Sequence, residues 1–230
     1  MTTLALDASS RTACVAIVRD GALLGQVYQN NGLTHSQTLM PMVSSLLRNA
    51  RVPAADIDLV AVTQGPGSFT GLRIGVSTAA GLAWGWGLPC VGISSLEAAA
   101  AGVCHMGGLI CAMMDARRGQ VYNALFSAEG GTLGGTIATM VRLTPDRAIS
   151  LDALRPEILG KAPILVGDGW PGEWEGIAQP APAHLRHATA WAVAVLAERA
   201  AARGGTYPAG GLRPNYLRPS QAERELAAKR

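Results

Sequence analysis

The fold of this chain is decided by the stretch Thr63-Gln64-Gly65-Pro66-Gly67-Ser68-Phe69-Thr70-Gly71-Leu72-Arg73-Ile74-Gly75. The mostly apolar residues 57–63, at the start of this stretch, predict a buried strand. Residues 72–86 carry a single charge, on Arg73, and predict a helix that is buried on most of its circumference. The hydroxyl of Thr70 or Ser68 could cap the first turn of that helix. The stretch therefore predicts a strand–loop–helix corner.

The loop of this corner is rich in glycine, which allows positive φ angles and close approach of the backbone to other groups. It is not a P-loop, because no Gly-Lys-Ser or Gly-Lys-Thr follows, and its glycine spacing differs from that of the dinucleotide-binding fingerprint. Two interpretations remain open. The loop is either a tight turn between strand and helix or an anion-binding site at the helix N-terminus.

The predicted helix contains more glycine than helix stability alone would favour. Gly71, Gly75 and Ala79 share one stripe, and Gly81 and Gly85 form a second pair of small residues. Each glycine in a helix interior costs about 1 kcal/mol relative to alanine, so close packing is expected in return. The helix could pack tightly on its own sheet alone. Because it has no charged face, we favour a helix that meets its sheet on one side and a second protein on the other.

Composition narrows the classes of function. Hydrophobic residues make up 49% of the 230 residues and charged residues 15%, which allows a sizeable core. The net charge of +3 is too small for a general nucleic-acid binder. The four cysteines form no CxxC pair, which predicts reduced thiols in a cytoplasmic protein. We expect no signal peptide and no membrane-spanning helix, because residues 1–3 lack a basic side chain and the helix after Gly71 is short and glycine-rich.

The predicted elements follow the order β-β-β-α-β-α-β-α over the first hundred residues. Strands are predicted at 4–7, 14–18 and 23–28, with a hairpin turn at Asp20-Gly21, followed by a helix from 34–36 to about residue 50. This order is typical of the ribonuclease-H-like half of the actin/sugar-kinase/Hsp70 superfamily.

The second half of the chain begins in the same way. Strands are predicted at 109–114 and 121–126, with others at 136–141 and 164–166, an irregular loop at 170–185 and an amphipathic alanine-rich helix at 187–203. We therefore predict an α/β fold of two lobes, a duplicated ribonuclease-H-like architecture whose second copy is degraded. The expected division is an N-terminal lobe at 1–104, a C-terminal lobe at 105–218 and a charged tail at 219–230.

Strand-end carboxylates suggest the remnant of a phosphate or nucleotide site. In the superfamily, one aspartate from each lobe faces the cleft and handles magnesium and phosphates, a role that suits carboxylate oxygens. The other interpretation is that these aspartates only hold turns, and Arg117 and Arg118 could pair with the second of them. The candidate residues are Asp7, Ser9, Asp115, Gly167, Asp168 and Gly169.

The C-terminal residues 213–230 are basic. They contain five basic and two acidic side chains, so their net charge equals that of the whole chain. This segment could contact RNA phosphates or an acidic partner, or it could be a solvated terminus.

The central motif from Gly65 to Gly75 resembles the signature of the TsaB family, whose members take part in bacterial tRNA threonylcarbamoyladenosine synthesis. Other similar segments are Leu4-Ala5-Leu6-Asp7, Gly92 to Glu97, Asp115 to Gly119 and Pro214 to Arg218. The resemblance covers most of the chain and is loosest from Ala128 to His184.

The resemblance implies a non-catalytic scaffold that activates a TsaD-type transferase, with a TsaE-type ATPase in the same complex. The transferase modifies the adenosine beside the anticodon, so tRNA would be met through the complex. In the family the first two helices of each partner form the pairing surface, and without its partner the chain is expected to form a homodimer through these helices. No cofactor is assigned to this chain, and ATP or ADP at the complex interface remains open. The expected interface residues are Leu39, Met40, Met42, Leu47, Ile74, Thr78, Gly81 and Leu82.

A metal-binding segment of the catalytic relative is missing from this sequence. TsaD-type proteins carry Asn-His-x-Glu-Gly-His after the strand that corresponds to residues 89–93, and both histidines bind the metal. Ser95 and Ala99 stand at the matching positions here, and neither is a good transition-metal ligand. We therefore assign no metal ligand and no catalytic residue.

The alternatives to the scaffold function are a stand-alone nucleotide-dependent kinase or ATPase of the same superfamily and, least favoured, a metallopeptidase.

Overall fold

The structure is a computed structural model that describes residues 1–130 and 139–218, apart from the side chain of Glu175. The predicted tail at 219–230 and the first part of the strand predicted at 136–141 lie outside the described residues. Within the described ranges, no helix combines the length and the apolar character that a membrane span requires.

The N-terminal half forms a mixed sheet in the strand order β3-β2-β1-β4-β5. The first three strands are antiparallel neighbours, whereas β4 runs parallel to both β1 and β5. The elements are β1 (Thr2–Asp7), β2 (Ala13–Arg19), β3 (Ala22–Gln29), α1 (His35–Asn49), β4 (Leu59–Gly65), α2 (Phe69–Trp86), β5 (Cys90–Ser94) and α3 (Ser95–Ala101). The predicted order of elements and the ribonuclease-H-like topology are confirmed.

The C-terminal half repeats this arrangement in reduced form. Its sheet has the order β11-β10-β6-β7-β8, and β9 also pairs with β7. The β6–β7 hairpin corresponds to β1–β2, and β10 runs parallel to β6 as β4 does to β1. The elements are β6 (Gly108–Asp115), β7 (Gln120–Ala128), β8 (Met140–Arg142), β9 (Arg147–Ser150), α4 (Leu151–Ile158), β10 (Ile164–Gly167), β11 (Gln179–Pro180) and α5 (Ala190–Ala201).

Three elements of this half were not expected from the sequence, and one of them, the two-residue strand β11, lies in the predicted loop at 170–185. The short strand β9 is only partly buried, and α4 has eight residues with Pro156 inside it, so neither gives a strong periodic pattern. In contrast, α5 was expected to be amphipathic and is not. Ala190 and all residues from Ala192 to Ala197 are buried, because this helix lies between the sheets.

The core extends across the two lobes. One hydrophobic cluster contains Leu96 of α3, Phe126 of β7 and Val193 of α5, together with side chains of the N-terminal sheet such as Leu59. The outer face of the N-terminal sheet packs on α1 and α2, and the outer face of the C-terminal sheet packs on α4. Because one cluster joins the two sheets, the division into lobes at 1–104 and 105–218 stays a prediction about the chain's organisation.

The glycines of α2 divide into two groups with different surroundings. A Cβ atom on Gly71 would lie 2.1 Å from the carbonyl oxygen of Ala8, and one on Gly75 would lie 3.3 Å from the Cβ atom of Ala8. At Gly81 and Gly85, no atom lies within 4 Å of the Cβ position. Gly71 and Gly75 therefore let the helix approach the turn after β1. Gly81 and Gly85 lie on the exposed surface of the helix.

The same substitution should consequently have opposite effects at two positions of one helix. We expect Gly71→Ala to lower the free energy of unfolding by more than about 2 kcal/mol, because the new methyl group overlaps a backbone carbonyl that cannot rotate away. Gly81→Ala should raise it by up to about 1 kcal/mol, through the better helix propensity of alanine. Urea unfolding of both variants measures this difference, and a Gly71→Ala protein as stable as the wild type would contradict the packing described.

Candidate functional site

A cleft of about 430 Å³ opens between the lobes. On one side lie Ser9 and Ser10, which follow β1, and Ser68 at the N-terminus of α2. Asp115 and Asp168, which follow β6 and β10, lie on the other side. Ligand sites in α/β proteins commonly lie at the carboxyl ends of strands, so this cleft is the place where a nucleotide site is expected in this fold.

Asp7 lies behind the wall of this cleft and is completely buried. Its Oδ1 atom accepts hydrogen bonds from the backbone N–H of Ser9 (3.1 Å), the hydroxyl of Ser9 (2.6 Å) and the hydroxyl of Thr63 (2.6 Å). Burial raises the pKa of the Asp7 carboxyl group. Asp7 does not line the cleft, contrary to the cleft-facing role considered above; its contacts hold the turn after β1 and tie it to β4.

The second aspartate of the predicted pair is exposed and already has a cationic partner. Asp115 Oδ1 accepts a hydrogen bond from the backbone N–H of Arg117 (2.7 Å), and its Oδ2 lies 3.6 Å from the Arg117 Nε atom. The backbone N–H of Asp115 donates to Oδ1 of Asp168 at 3.2 Å. Hydrogen bonds of this kind fix the 115–117 turn and leave the two carboxylates at the edge of the cleft.

The Gly167-Asp168-Gly169 segment is a tight turn against β6. Gly167 has a φ angle of +97°, and a Cβ atom there would lie 1.8 Å from the carbonyl oxygen of Met113. Both Asp168 and Gly169 donate their backbone N–H groups to that same carbonyl. Of the predicted remnant residues, Ser9, Asp115 and Asp168 line the cleft, Gly167 lines a smaller cavity beneath it, and Asp7 and Gly169 line neither.

The segment in which the sequence lacks metal-binding histidines lies beneath the cleft. Ser95 and Ala99 line the small cavity beneath the cleft, and the Ser95 hydroxyl is buried without a hydrogen-bond partner in the described structure. Over residues 1–130 and 139–218, no three or more His, Cys, Asp or Glu side chains are grouped in a way that could hold a metal ion.

A C-terminal strap, residues 212–218, crosses from the N-terminal lobe to the C-terminal lobe at the mouth of the cleft. Its Asn215 N–H donates to the carbonyl of Gln64 at the end of β4 (2.6 Å). The Tyr216 ring stacks on Phe69 with a centroid distance of 4.7 Å, and Arg218 donates to the carbonyl of Ala116 at 2.6 Å. No local pattern predicts this path, because the contacts join residues more than 100 positions apart.

The predicted partner-binding residues on α1 and α2 do not share one environment. Met40 is 43% exposed, and Gly81 is exposed with open space above it. Leu47, Ile74, Thr78 and Leu82 are half-buried. Leu39 and Met42 are buried in the chain's own core at 1% and 3% exposure, so a partner cannot reach them in this conformation. The apolar arc of α1 is wide because its inner part packs on the sheet.

A groove of about 700 Å³ lies between α2 and the C-terminal strap. Trp84, which is 78% exposed, and Gly81 line it on the helix side, and Leu212 and Tyr216 line it on the strap side. Trp84 was not among the residues expected at a site. It lies three residues after Gly81, and an aromatic ring beside a glycine pair is a signal that could have pointed to it.

The buried carboxyl group of Asp7 should leave a mark on the pH dependence of stability. A raised pKa in the folded state means that the folded chain holds this proton more tightly than the unfolded chain does. As the pH rises above the ordinary value of 3.8, the unfolded state loses the proton first, so this group's contribution to stability declines until the pH passes the raised pKa.

We expect Asp7→Asn to remove that decline, since an amide does not titrate. The difference in free energy of unfolding between Asp7→Asn and wild type should become more favourable to the variant as the pH rises from about 4 towards neutrality. Urea unfolding at several pH values measures it, with the exposed Asp56→Asn as the control for the loss of one carboxylate. Parallel profiles for Asp7→Asn and wild type would contradict a buried carboxyl group with a raised pKa.

Comparison with known proteins identifies the family. Residues 29–156, just over half of the chain, match the family model described as TsaD, tRNA N6-adenosine threonylcarbamoyltransferase. The chain is 30% identical to the tRNA threonylcarbamoyladenosine biosynthesis protein TsaB of Escherichia coli over 236 aligned positions, which cover 100% of both chains. It is 41% identical to the protein of the same name from Bacillus subtilis over 133 residues, 58% of each chain.

A solved structure agrees with these relatives. YeaZ from Pseudomonas aeruginosa superposes with a TM-score of 0.79 at 27% sequence identity, covering 94% of this chain and 99% of that one. The fold, the motif-bearing corner and the end-to-end sequence similarity therefore agree, and the chain belongs to the TsaB family of tRNA threonylcarbamoyladenosine biosynthesis proteins.

Proposed function

We propose that this chain is a non-catalytic subunit that pairs with a TsaD-type transferase and supports threonylcarbamoylation of the adenosine beside the anticodon in tRNA. The observation that carries the proposal is the outer face of α1 and α2. This partner face is defined by Met40, Leu47, Ile74, Thr78, Gly81 and Leu82, which are exposed or half-buried. The six side chains that define this face are uncharged, as is typical of the centre of a protein interface, and the exposed Arg48 of α1 lies at its border beside Leu47.

The orientation of α2 supports this assignment. The buried stripe of Gly71, Gly75 and Ala79 faces the chain's own sheet, so the remaining small residues are free to admit another helix. Arg73, the single charged residue of α2, lies over the Phe69 ring at 4.0 Å and donates to the Tyr216 hydroxyl, so its guanidinium group is engaged within the chain. A helix packed against Gly81 could approach closely, because no Cβ atom keeps it away.

A non-catalytic role is supported by what stands at the superfamily's reactive positions. The aspartate that would face the cleft is buried and engaged by Ser9 and Thr63, and Ser95 and Ala99 stand where the transferase carries histidines. The second aspartate, Asp115, is paired with Arg117. The chain's contribution to the reaction would then be to bind and shape its partner.

The partner face also suggests a resting form. Contiguous apolar surface is seldom left exposed to water, so we infer that the chain alone forms a two-fold homodimer through the same helices. Binding of the transferase would replace one copy by another protein at the same surface. A TsaE-type ATPase and tRNA would join the resulting complex, and an ATP or ADP site at the subunit interface would be formed only there.

Charge substitutions on the partner face test the pairing. We expect Gly81→Glu and Met40→Glu each to weaken binding to the TsaD-type transferase at least about 100-fold, because an uncompensated charge buried at an interface costs about 3 kcal/mol or more. The fold should be kept, since glutamate is a better helix former than glycine and Met40 is exposed. Isothermal titration measures the affinity. The control is Leu159→Glu, the same kind of change at a 56% exposed position after α4. Wild-type affinity in both partner-face variants would contradict the proposed surface.

A reconstituted reaction tests the function itself. Transfer of a labelled threonylcarbamoyl group to tRNA is measured with the transferase, the TsaE-type ATPase, ATP and the adenylate-forming enzyme, with and without this chain. We expect activity to require the chain, which should be inactive alone. Full activity without it would overturn the proposal. Magnesium-dependent ATP turnover by the purified chain would instead support the kinase or ATPase alternative.

A further inference from the structure

We propose that this chain contacts RNA directly, through an arginine patch at the mouth of the interlobe cleft that binds the phosphate backbone of tRNA. The patch consists of Arg11, Arg73, Arg117, Arg213 and Arg218. The proposal rests on the proposed function in one respect, namely that the RNA concerned is the tRNA substrate of the complex.

The five arginines surround two neighbouring depressions that meet at one aromatic ring. Arg11, Arg117 and Arg218 line the interlobe cleft of about 430 Å³. The groove of about 700 Å³ beside α2 is lined by Arg73 and Arg213. Tyr216 of the C-terminal strap lines both, so the cationic side chains form one continuous surface around it.

The acidic side chains of the two linings are fewer. They are Asp115 and Asp168, which leaves the surface with three positive charges in excess. That excess equals the formal net charge of the whole chain, +3. A local excess of positive charge attracts polyanions even when the total charge is small.

The arginines of the patch are oriented by neutral groups. Arg218 donates to the carbonyl of Ala116, Arg213 donates to the carbonyls of Gly210 and Leu212, and Arg73 donates to the hydroxyl of Tyr216. In the described ranges, the patch's ion pair with a carboxylate is that of Arg117 with Asp115, at 3.6 Å. These contacts hold the guanidinium groups in place without neutralising them, which leaves their charge available to phosphate oxygens.

Arginines elsewhere in the chain are treated differently. Arg142 contacts the carboxylates of Glu97 (2.7 Å) and Asp146, and Arg147 contacts that of Glu157. The ion pairs of Arg142 and Arg147 therefore link secondary-structure elements within the fold. Arg73, Arg213 and Arg218 of the patch bond instead to neutral groups, whereas Arg117 has a carboxylate partner and Arg186, outside the patch, also bonds to a carbonyl.

Aromatic rings within the patch favour RNA over an acidic protein as the ligand. Phe69 and Tyr216 stack at 4.7 Å, Arg73 lies 4.0 Å from the Phe69 centroid, and Tyr216 is 39% exposed. Surfaces that combine arginine with exposed aromatic rings bind phosphates and stack on unpaired bases. The N-terminus of α2 opens on the same cleft through Ser68, and its partial positive charge also favours phosphate.

The test compares two double variants that change the net charge equally. Arg11→Glu/Arg117→Glu removes two exposed arginines of the patch, and Arg155→Glu/Arg203→Glu removes two exposed arginines outside it. Each is assembled with the TsaD-type transferase, and the affinity for a fluorescent tRNA transcript is measured by anisotropy from about 50 to 200 mM salt. We expect the patch variant to bind at least about tenfold more weakly, with a salt slope reduced by about two, one for each lost phosphate contact. The outside variant should change little.

Four outcomes decide the matter. A loss confined to the patch variant supports the proposal. Equal losses in both double variants would show a net-charge effect only and would overturn it, and so would unchanged tRNA affinity in the patch variant. A patch variant that no longer binds the transferase but keeps its affinity for tRNA when assayed alone would overturn it in favour of an acidic protein surface as the ligand.

Size-exclusion chromatography distinguishes failure of the RNA contact from failure of the proposed scaffold function. If the wild-type chain and the transferase do not co-elute, the proposed function fails, whereas a stable complex with indifferent tRNA binding refutes only the RNA contact.

Discussion

The contact between the N-terminus of α2 and the turn after β1 is the constraint on which the rest of the structure depends. The N–H of Ser68 donates to the carbonyl of Ser9 at 2.7 Å, and Gly71 lies against the carbonyl of Ala8 with no space for a side chain. The carboxylate of Asp7 organises the same turn and bonds to Thr63 of the neighbouring strand. The N-terminus of α2 and the carboxyl ends of β1 and β4 are therefore held together by short polar contacts. A larger residue or a shifted helix would break these contacts.

Fixing α2 in this way determines what its other surfaces can do. One flank lies beside α1 and carries Ile74 and Leu82 of the partner face, and Gly81 lies where this face meets the groove. The opposite flank lies beside the C-terminal strap and carries Trp84 and the groove. Because the buried stripe is made of small residues, the helix lies close to its sheet and presents two flanks to other molecules. The family's role in tRNA modification makes a protein partner on one flank and RNA near the other a coherent arrangement.

At the cleft, the strand-end carboxylates are engaged by groups of the chain itself. The positions at the ends of β1 and β6 still carry aspartates, but Asp7 is enclosed by hydroxyl donors and Asp115 is held by Arg117. The strap then crosses the mouth of the cleft, and Arg218 ties it to the C-terminal lobe. Contacts from both halves of the chain therefore converge on one short segment.

The sequence alone determined the topology and the family, because both depend on local patterns. Residues 57–75 contain the strand, the turn glycines and the capping hydroxyl in one continuous run, and the hairpin at Asp20-Gly21 needs only its own two residues to adopt positive φ angles.

Local patterns could not show which apolar residues stay exposed. Leu39, Met42 and Met40 look alike in sequence, yet two are buried in the core and one is exposed, since the tilt of α1 on its sheet decides it. The burial of Asp7, the sandwiching of α5, and the strap that brings Tyr216 to Phe69 likewise depend on contacts between distant segments. Those were settled only by the tertiary structure, because long-range packing is fixed by the fit of whole elements and leaves no periodic trace in the chain.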